Sequence, residues 1–181
     1  MPHLGDEELL ERINRNDSRA FEGLYETYAP RLFVYCLRLL RDRQSAEDVV
    51  QETLMKVHTK AHAVLLGTSF RSWIFTIARN EAYGLLRKKK TIVLEDDDQV
   101  WNNDTPLELL LRAEESEIVQ HLLEELKPEY REILVLREYE DFSYGEIAVI
   151  TSSTIAAVKS RLFKARKAMT IKLKPLYETR E

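Results

Sequence analysis

The chain has 181 residues, of which 44% are hydrophobic and 32% charged, and its formal net charge is −4. This composition is typical of a soluble globular protein, and no apolar run reaches the roughly 18 residues that a membrane span requires. The first residues, MPHLGDEELLERI, are acidic and interrupted by charge, which excludes a signal peptide. The sequence therefore predicts a cytoplasmic protein without membrane insertion of its own.

Cysteine and histidine usage argues against a metal or redox centre. Cys36 is the only cysteine, which excludes an internal disulfide, and its apolar setting LFVYCLRLL predicts a buried thiol. His58 and His62 are spaced to share a metal on one helix face, but no third ligand is evident nearby. No cofactor and no metal site are predicted.

The net charge conceals two basic regions separated by an acidic one. Residues 153–174 carry seven Lys or Arg and no acid, and residues 70–90 carry six against the single Glu81. Residues 91–117 hold nine acids and one Arg. Basic regions of this kind suit contact with nucleic acid despite the acidic total.

Helical spacing recurs almost throughout, so the sequence predicts an all-α protein of two small domains. An N-terminal helical domain is expected over 1–92, with helices near 6–14, 18–40, 46–62 and 70–88. The polar stretch EDDDQVWNNDTP indicates an acidic linker over 93–112. A C-terminal domain with a helix-turn-helix is expected over 113–181, with Pro128 opening one of its helices.

The third predicted helix, SAEDVVQETLMKVHTKA, has two different faces, with Ser45 as the expected N-cap. Helical spacing buries Val50, Leu54, Val57 and Ala61. The opposite face carries Asp48, Glu52, Met55 and Thr59, flanked by Gln51. Acids around an exposed Met suit docking on a basic, partly apolar protein surface, and a plain solvated face is an equal alternative.

The next helix, FRSWIFTIARNEAYGLLRKKK, is predicted to bury Phe70, Trp73, Ile74, Ile77 and Leu85. Its other side carries Phe75, Arg79 and Tyr83, with Asn80 at the edge and RKKK, which begins with Arg87, at the end. Aromatic rings, cations and an amide suit the bases and phosphates of a single strand. The alternative is a core aromatic set with a basic last turn that the helix dipole favours.

A capped short helix is predicted to begin after Ser143. Ser143 and Glu146 have the spacing of a capping box, and Phe142 and Ile147 that of a hydrophobic staple. This helix is expected to end near Ile150. Residues 151–153 then form a turn before a longer helix, which is expected to begin around 154 with Ser153 or Ser152 as its cap. Two helices joined in this way make a helix-turn-helix.

The second helix of this motif also has two faces. The apolar one is expected to be buried: Ile155, Val158, Leu162, Ala165 and Met169. The opposite one has small residues first and cations later: Ala156, Ala157, Ser160, Lys164 and Lys167, with Lys159 and Arg161 on its shoulders. Small side chains let a helix approach base edges in the major groove, and the cations can reach phosphates. This pattern favours duplex DNA binding over a merely solvated helix.

Three segments resemble the bacterial sigma factors of RNA polymerase, specifically the small extracytoplasmic-function (ECF) group. They occur in that family's order and roughly at its spacing, from about Asp17 to Lys174. The segments are DSRAFEGLYETYAPRLFVYCLRLLRDRQSAEDVVQETLMKV, FRSWIFTIARNEA and LKPEYREILVLREYEDFSYGEIAVITSSTIAAVKSRLFKARK.

The resemblance implies a protein that binds core RNA polymerase and directs promoter-specific initiation without covalent chemistry. In the family the AEDVVQE helix docks on the clamp helices of the largest polymerase subunit, which implies that role for Asp48, Gln51, Glu52 and Met55. The flap region of the second-largest subunit, promoter DNA and an anti-sigma factor are the other implied partners.

The family's two DNA-binding segments imply two further sets of residues. In the family the helix that corresponds to FRSWIFTIARNEA and the loop before it, here His62 to Ser69, open the upstream −10 element and capture its non-template strand, with Trp73 and Ile77 holding the helix in place. The implied contacts there are Arg79, Asn80, Tyr83 and Arg87. The helix-turn-helix reads the −35 duplex, which implies Ser153, Thr154, Ala156, Ala157, Ser160, Arg161 and Lys164. The acidic connector would thread the polymerase between the two domains.

The chain departs from the family pattern at several positions. Many members have Asp where Gly84 stands, and the frequent Gly-Thr-Val-Lys is here Ala156-Ala157-Val158-Lys159. The usual Leu-Gly of the turn is Thr151-Ser152, so Ser152 is expected to adopt a positive φ unless the turn differs.

Other functions fit the pattern less well. A stand-alone helix-turn-helix regulator that binds operator DNA as a dimer is the main alternative, but it has no use for a second, aromatic-bearing basic surface. An all-α adaptor would leave both basic surfaces idle. Asp96, Asp97 and Asp98 suggest a metal-dependent nuclease only weakly, because consecutive linker residues do not converge on one ion.

Overall fold

The computed structural model describes residues 6–15, 17–61, 69–93 and 114–178. These residues form eight α-helices and no strand, which confirms the all-α prediction. The helices are α1 (Asp6–Asn14), α2 (Ser18–Leu40), α3 (Arg43–Lys60), α4 (Phe70–Val93), α5 (Glu114–Glu124), α6 (Pro128–Leu134), α7 (Tyr144–Ile150) and α8 (Ile155–Glu178).

Several predicted features lie outside the described residues. They include His62, the loop up to residue 68, the acidic linker beyond residue 93, and the three consecutive aspartates at 96–98. Within the described ranges, no group of three or more His, Cys, Asp or Glu could hold a metal ion. No helix in those ranges is both long enough and apolar enough to cross a bilayer.

Helix α2 contacts each of the other N-terminal helices, α1, α3 and α4. Asp17 caps α2 by accepting a hydrogen bond from the Arg19 N–H, and Cys36 is fully buried as predicted. Burial raises the pKa of the Cys36 thiol to about 12. The thiol therefore stays protonated at neutral pH and acts as a packing group.

The start of α3 differs from the prediction. Asp42, not Ser45, is the N-cap: its carboxylate accepts hydrogen bonds from both the N–H and the hydroxyl of Ser45. The helix therefore begins three residues earlier than predicted. A carboxylate and a hydroxyl compete for the same helix end here, and the ionised acceptor makes the stronger bond.

The C-terminal helices follow their local signals closely. Pro128 occupies the first turn of α6, and that helix continues into a π-helical turn over Val135–Tyr139. The predicted capping box is confirmed, because Ser143 and Glu146 bond each other's backbone N–H at 3.2 and 2.8 Å. Ser152 has φ 49°, as the missing glycine required.

The second helix of the motif departs from the prediction at its N-terminus. Neither predicted serine caps it; the Thr154 hydroxyl accepts a hydrogen bond from the Ala157 N–H at 3.1 Å instead. Ile155 was expected in the core but is 49% exposed. Burial on this face begins only at Val158, which is buried together with Leu162 and Ala165.

Helices α1 to α4 form an N-terminal unit and α5 to α8 a C-terminal unit, and the two units share one hydrophobic core. Helix α4 packs against α7, and α2 packs against α6. Phe75 of α4 meets Phe142, which precedes α7, with ring centroids 4.9 Å apart. This contact brings the basic surface of α4 against the helices of the C-terminal unit.

Gly84 offers a test of local helix stability. A Cβ added at this position would have no heavy atom within 4 Å. Because glycine in a helix interior costs about 1 kcal/mol relative to alanine, Gly84→Ala is expected to raise the free energy of unfolding by up to that amount. Urea unfolding followed by circular dichroism measures the change. A destabilised variant would mean that α4 has to bend or open at this residue.

Candidate nucleic-acid and polymerase interfaces

The outward face of α3 presents its predicted docking residues to solvent: Asp48, Gln51, Glu52 and Met55. The Met55 side chain is 64% exposed. Lys56 lies between Glu52 and Glu81 of α4, with N–O distances of 3.0 and 2.7 Å. Hydrogen bonds with Glu81 and then Glu52 raise the pKa of Lys56. The face is therefore acidic with an exposed apolar centre, and Lys56 fixes it relative to α4.

The outward face of α8 matches the expected exposure only in part. Thr154, Ala156, Ser160 and Lys164 are exposed, whereas Ser153, Ala157 and Arg161 are partly buried. The small residues lie in the first turns, and Lys164 follows two turns after Ala156. The short side chains of Ala156 and Ser160 let a duplex approach the backbone of this end closely.

The predicted outward face of α4 is not a solvent face. Phe75 was expected there with Arg79 and Tyr83, but it is fully buried. Its ring packs edge-on against Tyr35 and Phe142, with centroid distances of 5.4 and 4.9 Å. Asn80 and Arg87 are exposed. Helical spacing alone could not reveal this, because the burial comes from a unit distant in sequence.

Arg79 and Tyr83 are held by one carboxylate, that of Glu132 on α6. The Arg79 Nε donates to Glu132 Oε1 at 2.7 Å, and the Tyr83 hydroxyl donates to Oε2 at 2.8 Å. The Tyr35 hydroxyl of α2 donates a third bond at 3.1 Å. Burial, followed by the charge of Glu132, raises the pKa values of Tyr35 and Tyr83, so both stay protonated donors. Burial lowers the pKa of Arg79, but Glu132 offsets this and the net shift is upward.

A second ionic cluster lies between the N-terminal helices and the segment that joins α6 to α7. The buried Glu140 carboxylate accepts two hydrogen bonds from Arg31 of α2 at 3.0 and 2.8 Å. Arg71 of α4 lies 3.7 Å from the same oxygen, and its guanidinium stacks 3.9 Å from the Phe142 ring centroid. Burial raises the pKa of Glu140, and the arginines oppose that shift. The cluster connects α2 and α4 to Glu140 and Phe142 in the segment before α7.

Arg131, beside Glu132, connects the backbones of the two units. Its guanidinium donates to the carbonyls of Arg38 and Leu39 at the end of α2. It also donates to those of Glu124, the last residue of α5, and Leu126. Burial lowers the pKa of Arg131 to about 10, so it remains charged at neutral pH.

Sequence reasoning missed Arg131, Glu132 and Glu140. Each is at most 5% exposed although charged side chains are almost never so deeply buried without partners. The signal was present: Arg131 and Glu132 come directly before the apolar run Ile133 to Leu136 and share a helix face with Val135 and Leu136. Charged residues at helical spacing from core positions indicate a buried ionic contact.

The family models that match the chain cover both helical units. "Sigma-70 region 2" matches residues 24–92, which contain most of α2 together with α3 and α4. "Sigma-70, region 4" matches residues 116–169, from α5 into α8.

Full-length relatives decide the family. The chain is 31% identical to the RNA polymerase sigma-H factor of Pseudomonas aeruginosa, over 94% of this chain and 95% of that protein. It is 30% identical to the ECF RNA polymerase sigma-E factor of Escherichia coli K12, with 96% of each chain covered. The chain belongs to the ECF sigma factors. It is therefore a factor that directs RNA polymerase to promoters, and a stand-alone operator-binding regulator is not favoured.

Solved structures resemble this sigma factor along most of its length. The sigma factor RpoE from Bartonella quintana, solved with the anti-sigma factor NepR, has a TM-score of 0.72 at 28% identity. The match covers 85% of this chain and 96% of that one. CnrH, solved with the cytosolic domain of CnrY, has a TM-score of 0.73 at 22% identity, over 94% and 97% of the two chains. The likeness to CnrH supports the fold alone.

Proposed function

We propose that the sigma factor reads two promoter elements with two different helices. Helix α8 enters the major groove of the −35 duplex through Ser153, Thr154, Ala156, Ala157, Ser160, Arg161 and Lys164. Helix α4 binds the non-template strand of the −10 element through Arg79, Asn80, Tyr83 and Arg87. One observation carries the proposal. The second helix of a helix-turn-helix exposes small residues in its first turns and cations after them.

The exposed acidic face of α3 is the proposed docking surface for core polymerase. Asp48, Gln51, Glu52 and Met55 would contact the clamp helices of the largest subunit, and the C-terminal unit would contact the flap region of the second-largest. The proposed domains are residues 1–92 and 113–181, joined by an acidic linker over 93–112. The factor would act in the cytoplasm, by positioning and by opening DNA rather than by covalent catalysis.

An anti-sigma factor is the proposed regulatory partner. RpoE, 28% identical to this chain, was solved in complex with an anti-sigma factor, which supports this proposal. Copurification with the native chain, followed by inhibition of its transcription, would identify such a partner.

Promoter-specific transcription is the direct test of the proposal. Core polymerase should initiate at defined positions in a pool of upstream DNA only when this protein is added. Variants Asn80→Ala and Lys164→Ala should each reduce initiation, with Asn80 affecting strand opening and Lys164 affecting initial binding. Binding of duplex operator DNA without any effect on core polymerase would refute the proposal and favour the stand-alone regulator.

Reversing the charge of Glu52 tests the docking face. Glu52→Lys is expected to weaken binding to core polymerase by about tenfold or more, because a cation would replace an anion opposite a basic surface. The exposed pair with Lys56 contributes about 1 kcal/mol at most, so helical content should be unchanged. Binding can be measured by fluorescence anisotropy with core polymerase.

The matched control for this variant is Glu26→Lys, an equal charge reversal at an exposed position of α2. It should leave the affinity for polymerase within about twofold, because its charge lies off the proposed docking face. Equal weakening by both variants would mean that the net charge, and not the α3 face, controls docking.

Removing the Lys164 cation tests the duplex surface. Lys164→Ala is expected to weaken promoter binding by the holoenzyme and to reduce the slope of log affinity against log salt by about 0.9. Lys127→Ala, which removes an equal charge before α6, should leave that slope unchanged. A slope that Lys164→Ala leaves unchanged would place Lys164 off the phosphates, and an equal fall for both variants would mean that net charge sets the slope.

A further inference from the structure

The proposed single-strand site of α4 is already occupied by the protein's own carboxylate. Glu132 is 1% exposed, and its carboxylate accepts hydrogen bonds from the Nε of Arg79 and the hydroxyl of Tyr83. The Arg79 side chain is only 19% exposed and stacks 4.4 Å from the Tyr83 ring centroid. A nucleic-acid phosphate or base edge would need the same donors, and a base would need the same ring face.

Contacts around Glu132 hold α6 and α7 in this position. Arg131 ties the end of α2 to the segment after α5, and Glu140 pairs with Arg31 at 2.8 Å. Arg38 stacks 3.5 Å above the Tyr139 ring centroid. These contacts join the same two units at separate points. A strand therefore cannot reach Arg79 and Tyr83 by a side-chain rotation alone; the units have to separate.

The proposed duplex-reading face of α8, unlike the α4 site, is exposed in the same arrangement. Thr154, Ala156, Ser160 and Lys164 are all exposed. The packing of the C-terminal unit on α4 thus covers one proposed DNA surface and leaves the other accessible. This asymmetry separates the two binding activities experimentally.

We propose that this arrangement is a self-inhibited state in which Glu132 occupies the single-strand site and competes with DNA for Arg79 and Tyr83. The inference rests on the proposed role of α4. In the free protein only the separated fraction binds a single strand, so the apparent dissociation constant is increased by the inverse of that fraction. The duplex surface of α8 works in both states, and strand capture begins when polymerase holds the units apart.

The test compares the wild-type protein with two variants that should open the interface. Glu132→Gln removes the competing charge. Arg31→Glu breaks the distant pair with Glu140 and leaves every residue of α4 and Glu132 intact. It also makes the chain more negative, so any gain in DNA affinity cannot come from added positive charge. Arg19→Glu, an equal reversal at an exposed position of α2, is the control.

The binding probes are labelled pools of short random-sequence DNA, one single-stranded and one duplex. Both opening variants are expected to bind the single strands about tenfold more tightly than the wild type, with duplex binding unchanged. Small-angle X-ray scattering should show a larger radius of gyration for both, and circular dichroism should show intact helices. Arg19→Glu should gain no affinity for the single strands.

Two results would overturn the self-inhibited state. One is a free wild-type protein whose scattering is already as extended as that of both variants. The other is an extended Arg31→Glu variant that binds single strands no better than wild type. If Glu132→Gln loses helical content, the Arg31→Glu result decides alone.

Failure of the proposed function gives a different result. Adding Arg79→Ala to Arg31→Glu should abolish the gain in single-strand binding. If the gain remains, the strand binds elsewhere and α4 is not its site, whatever the scattering shows. In the holoenzyme the polymerase holds the two units apart, so transcription with Arg31→Glu should equal that with wild type. Transcription with Asn80→Ala should be reduced.

Discussion

Replacing Phe75 with alanine is expected to lower the free energy of unfolding by about 3–5 kcal/mol. The Phe75 side chain is fully buried and packs edge-on against Tyr35 on one side and Phe142 on the other. Truncation leaves a cavity between the two helical units and removes both aromatic contacts, each of which contributes about 0.5–1.5 kcal/mol beyond its buried area. Urea unfolding followed by circular dichroism measures the loss.

Phe163→Ala provides the matched control, because the Phe163 side chain on α8 is 70% exposed. Its removal should change stability by less than about 0.5 kcal/mol, the usual range for surface substitutions. An equally small loss of stability for Phe75→Ala would mean that Phe75 faces solvent, as helical spacing alone predicted. Helix α4 would then not pack on α7.

Replacing Arg131 with methionine is expected to lower the free energy of unfolding by about 3–5 kcal/mol. Its guanidinium satisfies four backbone carbonyls, those of Arg38, Leu39, Glu124 and Leu126. Burial, followed by the charge of Arg41, lowers the pKa of Arg131 and so disfavours its charged form. The loss on replacement therefore comes chiefly from the carbonyls, which methionine leaves buried without a donor.

Arg41→Met controls for the loss of a nearby cation. Arg41 is exposed and lies 3.4 Å from Glu124, a surface pair that contributes at most about 1 kcal/mol. Its positive φ of 58° penalises arginine and methionine alike. Equal destabilisation by the two variants would show that positive charge near Glu124, and not the four carbonyl bonds, explains the role of Arg131.

Local signals in the sequence predicted most of the helix architecture. Helices α1 and α2 have their predicted bounds, Pro128 begins α6, and the Ser143 capping box begins α7. Each feature depends on residues within one turn of the helix end, so a short window contains the necessary information. Where two caps lay within reach, as with Asp42 and Ser45, the same window was insufficient.

The outward faces of α3 and α8 were also predictable. Met55, Glu52, Ala156 and Lys164 are exposed as the 100° spacing indicated. On α8 the pattern failed at its first turn, where Ile155 is 49% exposed, and Met169, also expected in the core, is only partly buried. Periodicity identifies the buried side of a helix, but it does not say how far the neighbouring element extends along it.

The sequence by itself determined most of the helices, the start of α6 at Pro128, the capping box of α7 and, through the resemblance, the sigma-factor family. Tertiary structure alone decided that Phe75 is core and that Arg79 and Tyr83 meet Glu132, 53 and 49 residues away along the chain. The physical reason is that a periodic pattern reports the partner of a helix only as apolar or polar. A buried carboxylate with three donors satisfies polar residues as fully as water does, so the pattern of α4 reads the same whether it faces solvent or Glu132.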